Sequence, residues 1–210
     1  MFYTERLVLR PYHESLDLES LWKASNNVEY RTMLGSNSLL PRTKDEVKKK
    51  FFSSTESVYN PMLPALAICV RPESNGEADS DKHPLELPAI GQIVLLAGKY
   101  DPKNRSAFLG VGILDAKNRG KGYGREAITF MLEYGFMELN VHRIELIVYS
   151  FNMSAAGLYR SIGFVDEGVA RKTYFKSGVR HDTISMAILE EEWWEIRKTN
   201  KVRVMPAHLQ

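Results

Sequence analysis

Cysteine is nearly absent from this sequence, since Cys69 is the one example among 210 residues. A disulfide within the chain and a cysteine-cluster metal site each need at least two cysteines, so both are excluded. Cys69 lies in the apolar segment 67–70, and we expect it to be an unreactive core thiol. So little cysteine suits a reducing compartment, and we expect a cytoplasmic protein.

The chain also lacks an excess of charge and a long apolar run. It has 28 Lys and Arg against 26 Asp and Glu, a formal net charge of +2. Dedicated nucleic-acid binders carry a concentrated basic excess, so no specific nucleic-acid partner is expected. The apolar runs are shorter than the roughly 18–20 residues that cross a bilayer, so no membrane partner is expected. Its five histidines show no metal-ligand spacing, and no metal is predicted.

What remains is the composition of an ordinary globular chain, 44% hydrophobic and 26% charged. We expect one domain over residues 1–196 and a short basic tail over 197–210. Residues 72–88 contain three prolines, a glycine and several acids. Such a segment buries too little apolar surface to offset the entropy of ordering, so it is predicted to be a mobile loop insertion.

Apolar periodicity predicts an alternation of strands and helices. The expected strands are 2–12, 63–71, 89–99, 106–114, 143–149, 164–175 and 182–188. The expected helices are 15–26, 28–34, a segment following the capping pair Thr43 and Glu46, 124–139, 152–162 and 190–198. Ser15 or Asp17 is the expected cap of the first helix, and Gly163 is expected to end the helix 152–162. This order predicts an α/β fold with a mixed, mostly antiparallel central sheet and at least one parallel crossover.

A glycine-rich, basic segment between a strand and a helix is the strongest chemical signal. Glycines expose backbone N–H groups, and a helix N-terminus adds unpaired donors and partial positive charge, which together suit a phosphate. The spacing matches neither a Walker loop nor a dinucleotide-binding fingerprint. A structural turn is the simpler alternative. The segment consists of Arg119, Gly120, Lys121, Gly122, Tyr123 and Gly124, followed by Arg125.

A second signal is the pair Asn152 and Tyr159, which are two helical turns apart and therefore share a helix face. Asn152 alone is a good helix N-cap, and Tyr159 alone could be a core aromatic residue. The residues by themselves leave both alternatives open.

Together these segments resemble the GCN5-related N-acetyltransferase (GNAT) family. Arg119-x-x-Gly122-x-Gly124 is similar to the family's [QR]-x-x-G-x-[GA] signature, and 152–164 is similar to its second block. Residues 4–10 resemble the first strand of the RimJ/RimL-like branch, which acetylates ribosomal-protein alanine, while 141–144 and 167–171 resemble further segments. The resemblance implies a single-domain GNAT fold with splayed fourth and fifth strands, here 106–114 and 143–149.

The resemblance also implies an acetyl-CoA cosubstrate and roles for particular residues. The segment from Arg119 to Arg125 would hold the pyrophosphate, while the backbone of Gly112, Ile113 and Leu114 would pair with pantetheine. Asn152 would contact the pantetheine arm, and Tyr159 would be the general acid to the leaving thiolate. The glycines Gly110 and Gly112 are expected to form a strand bulge.

The implied reaction is direct attack of a primary amine on acetyl-CoA in a ternary complex. Many relatives carry a glutamate base near the position of Ser106 or Ala107, and this chain does not. Glu145, Asp115, Glu29 and a water chain remain open as alternatives. The lack of that base also leaves a non-catalytic acyl-CoA-binding module as an alternative function.

The acceptor is expected to be a small-molecule amine or a protein N-terminus. Trp22 lies in a helix whose family counterpart lines the acceptor side, although core packing is the simpler interpretation. Asp17, Glu19 and Glu29 form no evident carboxylate cluster for a polyamine. A monomer or a homodimer is expected.

Overall fold

The computed structural model describes residues 1–34, 39–52, 65–72, 83–96 and 103–200. Its centre is an eight-stranded sheet with the order β1-β2-β3-β4-β5-β6-β8-β7. The strands are β1 Phe2–Tyr3, β2 Leu7–Arg10, β3 Ala65–Val70, β4 Ala89–Leu96, β5 Ser106–Ile113, β6 Arg143–Tyr149, β7 Val165–Lys176 and β8 Val179–Leu189.

One neighbouring pair of strands, β5 and β6, is parallel, and every other pair is antiparallel. A parallel neighbour needs a crossover, and here it runs through a long helix between the two strands. The predicted mixed, mostly antiparallel sheet with one parallel crossover is therefore confirmed.

Six helices flank the sheet within the described residues. They are α1 Glu14–Ser25, α2 Val28–Met33, α3 Lys44–Phe52, α4 Tyr123–Met137, α5 Met153–Ile162 and α6 Glu190–Asn200. Thr43 and Glu46 form the predicted capping box of α3, since each side chain accepts the other residue's backbone N–H at 3.2 and 2.7 Å. Gly163 ends α5 with a φ of +125°, also as predicted.

The main core lies between the sheet and the helices α4, α5 and α6. The α4 residues Ile128, Phe130, Met131 and Leu132 are fully buried against strand side chains such as Leu7, Leu9, Ile93, Leu95 and Ile144. A smaller cluster packs α1, α2 and α3 together beside the end of β5. It includes Leu21, Tyr30, Val47 and Leu114. These two clusters position the walls of the site described below.

The prediction that Ser15 or Asp17 caps the first helix is wrong. The N-cap residue is His13, and its side chain makes no capping hydrogen bond to the helix. Asp17 is fully buried one turn into α1, where it binds Arg10 through two bonds of 2.7 Å and accepts the backbone N–H of His13. A buried arginine needs a counter-charge, and this pairing between β2 and α1 determines the position of Asp17.

The segment expected to be a mobile loop has an ordered end. Residues 73–82 lie outside the described residues, but Pro84–Glu86 form a short 3₁₀ turn. Composition alone does not predict order at this end of the segment, because the order depends on two contacts. Leu87 is buried beside Cys69, and its carbonyl accepts a 2.7 Å bond from Arg10. The basic tail is predicted over 197–210, but residues 197–200 form the end of α6, and residues 201–210 lie outside the described residues.

Candidate active site

A cavity of about 550 Å³ opens where β5 and β6 separate, beside the N-terminus of α4. This volume falls within the range of small-molecule sites in proteins. Its walls come from α2, from β5, from the loop before α4, from the end of β6 and from α5.

The separation of β5 from β6 creates an open strand edge. The two strands pair only at Ser106–Arg143, Ala107–Ile144 and Phe108–Glu145. Beyond Phe108, β5 continues to pair with β4 as far as Ile113. The backbone edge from Leu109 to Ile113 therefore faces the cavity, where an extended ligand could pair with it like an added strand. This confirms the predicted splay.

The predicted bulge at Gly110 and Gly112 is wrong. The register of β5 with β4 advances one residue at a time from Phe108 to Ile113. Gly112 has a different reason to be glycine, because a Cβ there would lie 2.7 Å from the hydroxyl oxygen of Tyr30. The absent side chain lets α2 approach the strand, and Gln92 holds the same hydroxyl with a 3.0 Å bond.

Two of the three predicted pantetheine-pairing residues line the cavity. Gly112 and Ile113 are in its wall, but Leu114 is not. The side chain of Leu114 is buried with Leu21 and Val47, and its backbone N–H donates to the carbonyl of Ile90 at 2.9 Å. Leu114 thus serves to fix the end of β5.

The glycine-rich loop turns sharply into α4. Gly120 and Gly122 have φ values of +72° and +85°, in the left-handed region that favours glycine. Gly122 is the N-cap of α4, so the first free N–H groups of the helix belong to Tyr123, Gly124 and Arg125. All of the predicted loop residues except Lys121 line the cavity, and Lys121 is exposed beside it.

Both arginines of the loop are held by neighbouring elements. Arg119 pairs with Glu29 of α2 at 2.7 Å, and its Nε donates to the carbonyl of Ile113 at 3.4 Å. Arg125 donates to the hydroxyl of Ser161 at 2.5 Å. The charge of Arg125 therefore adds to the partial positive charge of the N-terminus of α4, while the charge of Arg119 is held in place and partly balanced by Glu29.

Tyr159 lies in the cavity wall on α5, with its ring edge-on to Phe164 at a centroid distance of 5.8 Å. Burial raises the pKa of Tyr159 to about 12 because an apolar surrounding disfavours the phenolate. The hydroxyl therefore remains a proton donor throughout the physiological pH range.

Asn152 is the N-cap of α5, as the simpler interpretation predicted, and it also lines the cavity. Its side-chain oxygen accepts the N–H of Ala155 at 3.3 Å. With the oxygen engaged in capping, the amide NH₂ group is the part that can donate to a ligand.

The carboxylates considered as bases lie outside the cavity wall. Glu145 contacts Arg143 at 3.3 Å, and Glu29 pairs with Arg119. Asp115 caps the short 3₁₀ helix Ala116–Asn118, and the N–H and ammonium of Lys117 lower its pKa. Each of the three has a structural partner.

Several residues of the wall carried no signal in the sequence. Their positions depend on how α2 crosses β5 and on where β6 ends, which no local pattern reveals. The wall residues of this kind are Tyr30, Met33, Leu34, Phe108, Ile147 and Tyr149.

The described residues contain no group of three or more His, Cys, Asp or Glu side chains arranged to hold a metal ion. Among the same residues, no helix combines the length and the apolar character needed to span a membrane. Trp22 contributes to the cluster around Leu21, with its indole N–H donating to the carbonyl of Arg42 at 2.8 Å. The simpler, packing interpretation of Trp22 agrees with this position.

Residues 6–165 match the acetyltransferase (GNAT) domain family, and the chain belongs to that family. The solved structure of spermidine N-acetyltransferase from Vibrio cholerae with CoA and spermine has the same fold, with a TM-score of 0.72. That likeness extends over 90% of this chain and 98% of the other at 24% identity. The predicted GNAT fold is therefore confirmed.

Curated relatives match over shorter segments. Spermidine N(1)-acetyltransferase of Vibrio cholerae is 36% identical over 104 residues, covering 50% of this chain and 58% of its own length. The putative ribosomal N-acetyltransferase YdaF of Bacillus subtilis is 33% identical over 94 residues, covering 44% and 50%. The chain thus spans about half the length of the curated relatives it matches.

Proposed function

We propose that this protein transfers an acetyl group from acetyl-CoA to a primary amine by direct attack in a ternary complex. The observation that carries the proposal is the meeting of three features in one cavity. These are an open strand edge, a cationic glycine loop at a helix N-terminus, and a protonated tyrosine.

Each feature suits one part of acetyl-CoA. The N–H groups of Tyr123, Gly124 and Arg125 suit the pyrophosphate, with Arg119 and Arg125 balancing its charge. The edge of β5 at Gly112 and Ile113 suits the amide groups of pantetheine, and the NH₂ group of Asn152 suits a carbonyl of the same arm. Acetyl-CoA supplies an activated thioester.

In the transfer, a C–N bond forms between the amine and the acetyl carbon while the C–S bond breaks. The departing sulfur takes its proton from the Tyr159 hydroxyl, and the attacking nitrogen gives up a proton to water. N–H groups on the free edge of β5 can donate to the oxyanion of the intermediate.

The attacking amine must be neutral, and the pKa of a free α-amine is about 8 and that of a lysine-type amine about 10. The wall near α2 and the end of β6 is mostly apolar and includes Tyr30, Met33, Leu34, Phe108, Ile147 and Tyr149. Burial against such a surface lowers the pKa of an ammonium group and so favours the reactive neutral form. Desolvation of the amine thus takes over the task of the glutamate base that many relatives carry on the fourth strand, which is to favour the neutral amine.

The acceptor is proposed to be a small-molecule amine, with a protein N-terminus as the second class. Relatives in Vibrio cholerae and Escherichia coli are named for spermidine, which supports the first class. The relative named as a putative ribosomal acetyltransferase supports the second, and with it the RimJ/RimL-like branch.

The test is an assay of thiol release from acetyl-CoA with a panel of amines, including spermidine and a peptide with a free N-terminal alanine. Amine-dependent release, with acetylated product seen by mass spectrometry, is the expected result. Binding of acetyl-CoA without transfer to any amine would instead support a non-catalytic acyl-CoA-binding module.

A further inference from the structure

Arg6 lies against the outer side of the glycine loop, at the start of β2. Its Nη1 donates to the carbonyl of Lys121 at 2.9 Å, and its guanidinium lies 5.2 Å from the ring centre of Tyr123. Its Nη2 is 3.0 Å from the place where a side chain on Gly122 would begin. One arginine from the other end of the chain therefore touches three consecutive residues of the loop.

Glu126, in the first turn of α4, fixes this arginine. The Glu126 carboxylate accepts the Arg6 backbone N–H at 2.7 Å and its Nε at 2.8 Å. It also accepts the hydroxyl of Thr4 at 2.5 Å. The Arg6 side chain is 47% exposed, but its guanidinium is held on two sides, by the Glu126 carboxylate and by the Lys121 carbonyl.

The contact with the Lys121 carbonyl determines how the loop presents its N–H groups. The described chain has no cis peptide bond. In a trans peptide, the carbonyl of one residue and the N–H of the next point in opposite directions. Fixing the Lys121 carbonyl toward Arg6 therefore directs the N–H of Gly122 away from Arg6. Gly122 lines the cavity, while Arg6 and Lys121 do not.

We propose that Arg6, anchored by Glu126, is a positioning residue that holds the loop in the conformation that binds the pyrophosphate of acetyl-CoA. The inference rests on the proposed function. It assigns to the opening strand a role in cofactor recognition that acts through the loop and without contact to the reacting atoms.

Arg71 provides a matched control. It is also an exposed arginine beside β2, and it also donates to a backbone carbonyl, that of Thr4, at 2.9 Å. It lies 5.8 Å from the ring centre of Tyr3, as Arg6 lies over Tyr123. Arg71 thus makes a carbonyl bond and a ring contact like those of Arg6, but neither of these two contacts is with the loop.

The experiment compares two acetyl donors, acetyl-CoA and S-acetylpantetheine, which lacks the pyrophosphate and nucleotide. Arg6→Met is expected to lower kcat/KM about tenfold or more for acetyl-CoA, through KM, and to leave S-acetylpantetheine within about twofold. Arg71→Met is expected to leave both values near wild type. An equal loss with both donors, or a loss with neither, would overturn the inference.

Two further variants distinguish the positioning of the loop by Arg6 from a simple attraction between its charge and the pyrophosphate. Arg6→Lys keeps the charge but cannot bond the carboxylate and the carbonyl together, so little rescue is expected. Glu126→Gln frees Arg6, and a smaller loss in the same direction is expected. A gain in acetyl-CoA affinity with Glu126→Gln, or full rescue by Arg6→Lys, would mean that Arg6 acts only through its charge. Either result would refute its role in positioning the loop.

The two proposals fail in different ways. If wild-type protein transfers acetyl from neither donor, the proposed function is wrong. Calorimetric titration with CoA then still measures whether Arg6→Met weakens binding about tenfold. If wild type is active and Arg6→Met behaves like Arg71→Met, the role of Arg6 is wrong and the function stands.

Discussion

At the scale of single residues, Tyr159 is the side chain with the most direct proposed part in the reaction. Its raised pKa means that the apolar wall stabilises the protonated phenol. A general acid must keep its proton until the leaving group develops charge, and this environment ensures that it does. The ring of Tyr159 also packs edge-on against Phe164 at a centroid distance of 5.8 Å.

Tyr159→Phe is expected to lower kcat about a hundredfold, the lower end of the range for lost general acid catalysis, with little change in KM for acetyl-CoA. The measurement is steady-state kinetics with saturating amine. Tyr134→Phe, a similarly half-buried tyrosine that packs on Phe2, is the control and should match wild type. A Tyr159→Phe enzyme with unchanged kcat would contradict the acid role.

The pH profile checks the same assignment. Because the pKa of Tyr159 lies near 12, the phenol keeps its proton as pH rises from 8 to 10. No alkaline fall in kcat/KM for acetyl-CoA should therefore arise from this residue in that range. A fall that is present in wild type and absent in Tyr159→Phe would show that the phenol titrates there.

Gly112 must be small because of Tyr30, a residue distant from it in the sequence. Gly112→Ala should destabilise the fold by about 1–3 kcal/mol, because the new methyl group overlaps the Tyr30 hydroxyl. The double variant with Tyr30→Phe removes the nearest atom and should recover part of the loss in urea unfolding. Equal stabilities for the single and double variants would mean that this contact is not the cause.

At the scale of elements, the site lies where two helices begin and one strand ends. The loop before α4, the separated end of β6 and the start of α5 meet at the open edge of β5. Element ends leave backbone donors and acceptors without partners, and a ligand can use them. The helix α2 closes the same space through Tyr30 and through the Glu29 bond to Arg119.

Gly122→Asp is expected to abolish measurable CoA binding. The new side chain adds a negative charge at the anion site and forces an L-residue to adopt a φ of +85°. Gly157→Ala is the control, since a Cβ there meets nothing within 4 Å and alanine favours a helix. It should retain full affinity. Normal CoA affinity in a folded Gly122→Asp protein would refute the role of the loop.

At the scale of the whole molecule, local patterns suffice for most elements and for the loop. The glycines at 120, 122 and 163 adopt positive φ values as their positions suggest, and the Thr43–Glu46 box forms within four residues. The failures depend on tertiary contacts between elements. Asp17 of α1 binds Arg10 of β2, Leu87 packs beside Cys69, and Gly112 makes room for Tyr30. Even for Arg10 and Asp17, which are seven residues apart, the pairing joins a strand to a helix, and the apolar period of either element does not reveal it.

Among the described residues, a buried carboxylate links the last helix to the centre of the fold. Glu133 of α4 is fully buried, and Arg197 of α6 contacts it at 2.5 Å. Burial raises the pKa of Glu133, and the attraction of Arg197 only partly opposes this. The packing of α6 on the core therefore includes a carboxyl group whose pKa is raised by burial.

A pKa raised on folding means that the native state holds the proton more tightly than the unfolded state. The contribution of Glu133 to stability is therefore present below its ordinary pKa of 4.5 and is lost as pH rises through the raised value. Relative to wild type, Glu133→Gln should become more stable as pH rises from 4 to 7. Urea unfolding measures this, with Glu138→Gln, exposed near the end of the same helix, as control. A pH-independent difference would contradict the assignment.

Calorimetric titration of the wild-type protein measures whether this cavity binds acetyl-CoA, on which the proposed roles of the loop, the strand edge and Tyr159 all depend. Saturable binding of acetyl-CoA and desulfo-CoA at micromolar concentration is expected, with no comparable binding of ATP. Equal binding of ATP would mean a general phosphate site. No binding of acetyl-CoA would contradict both the loop assignment and the acetyltransferase proposal.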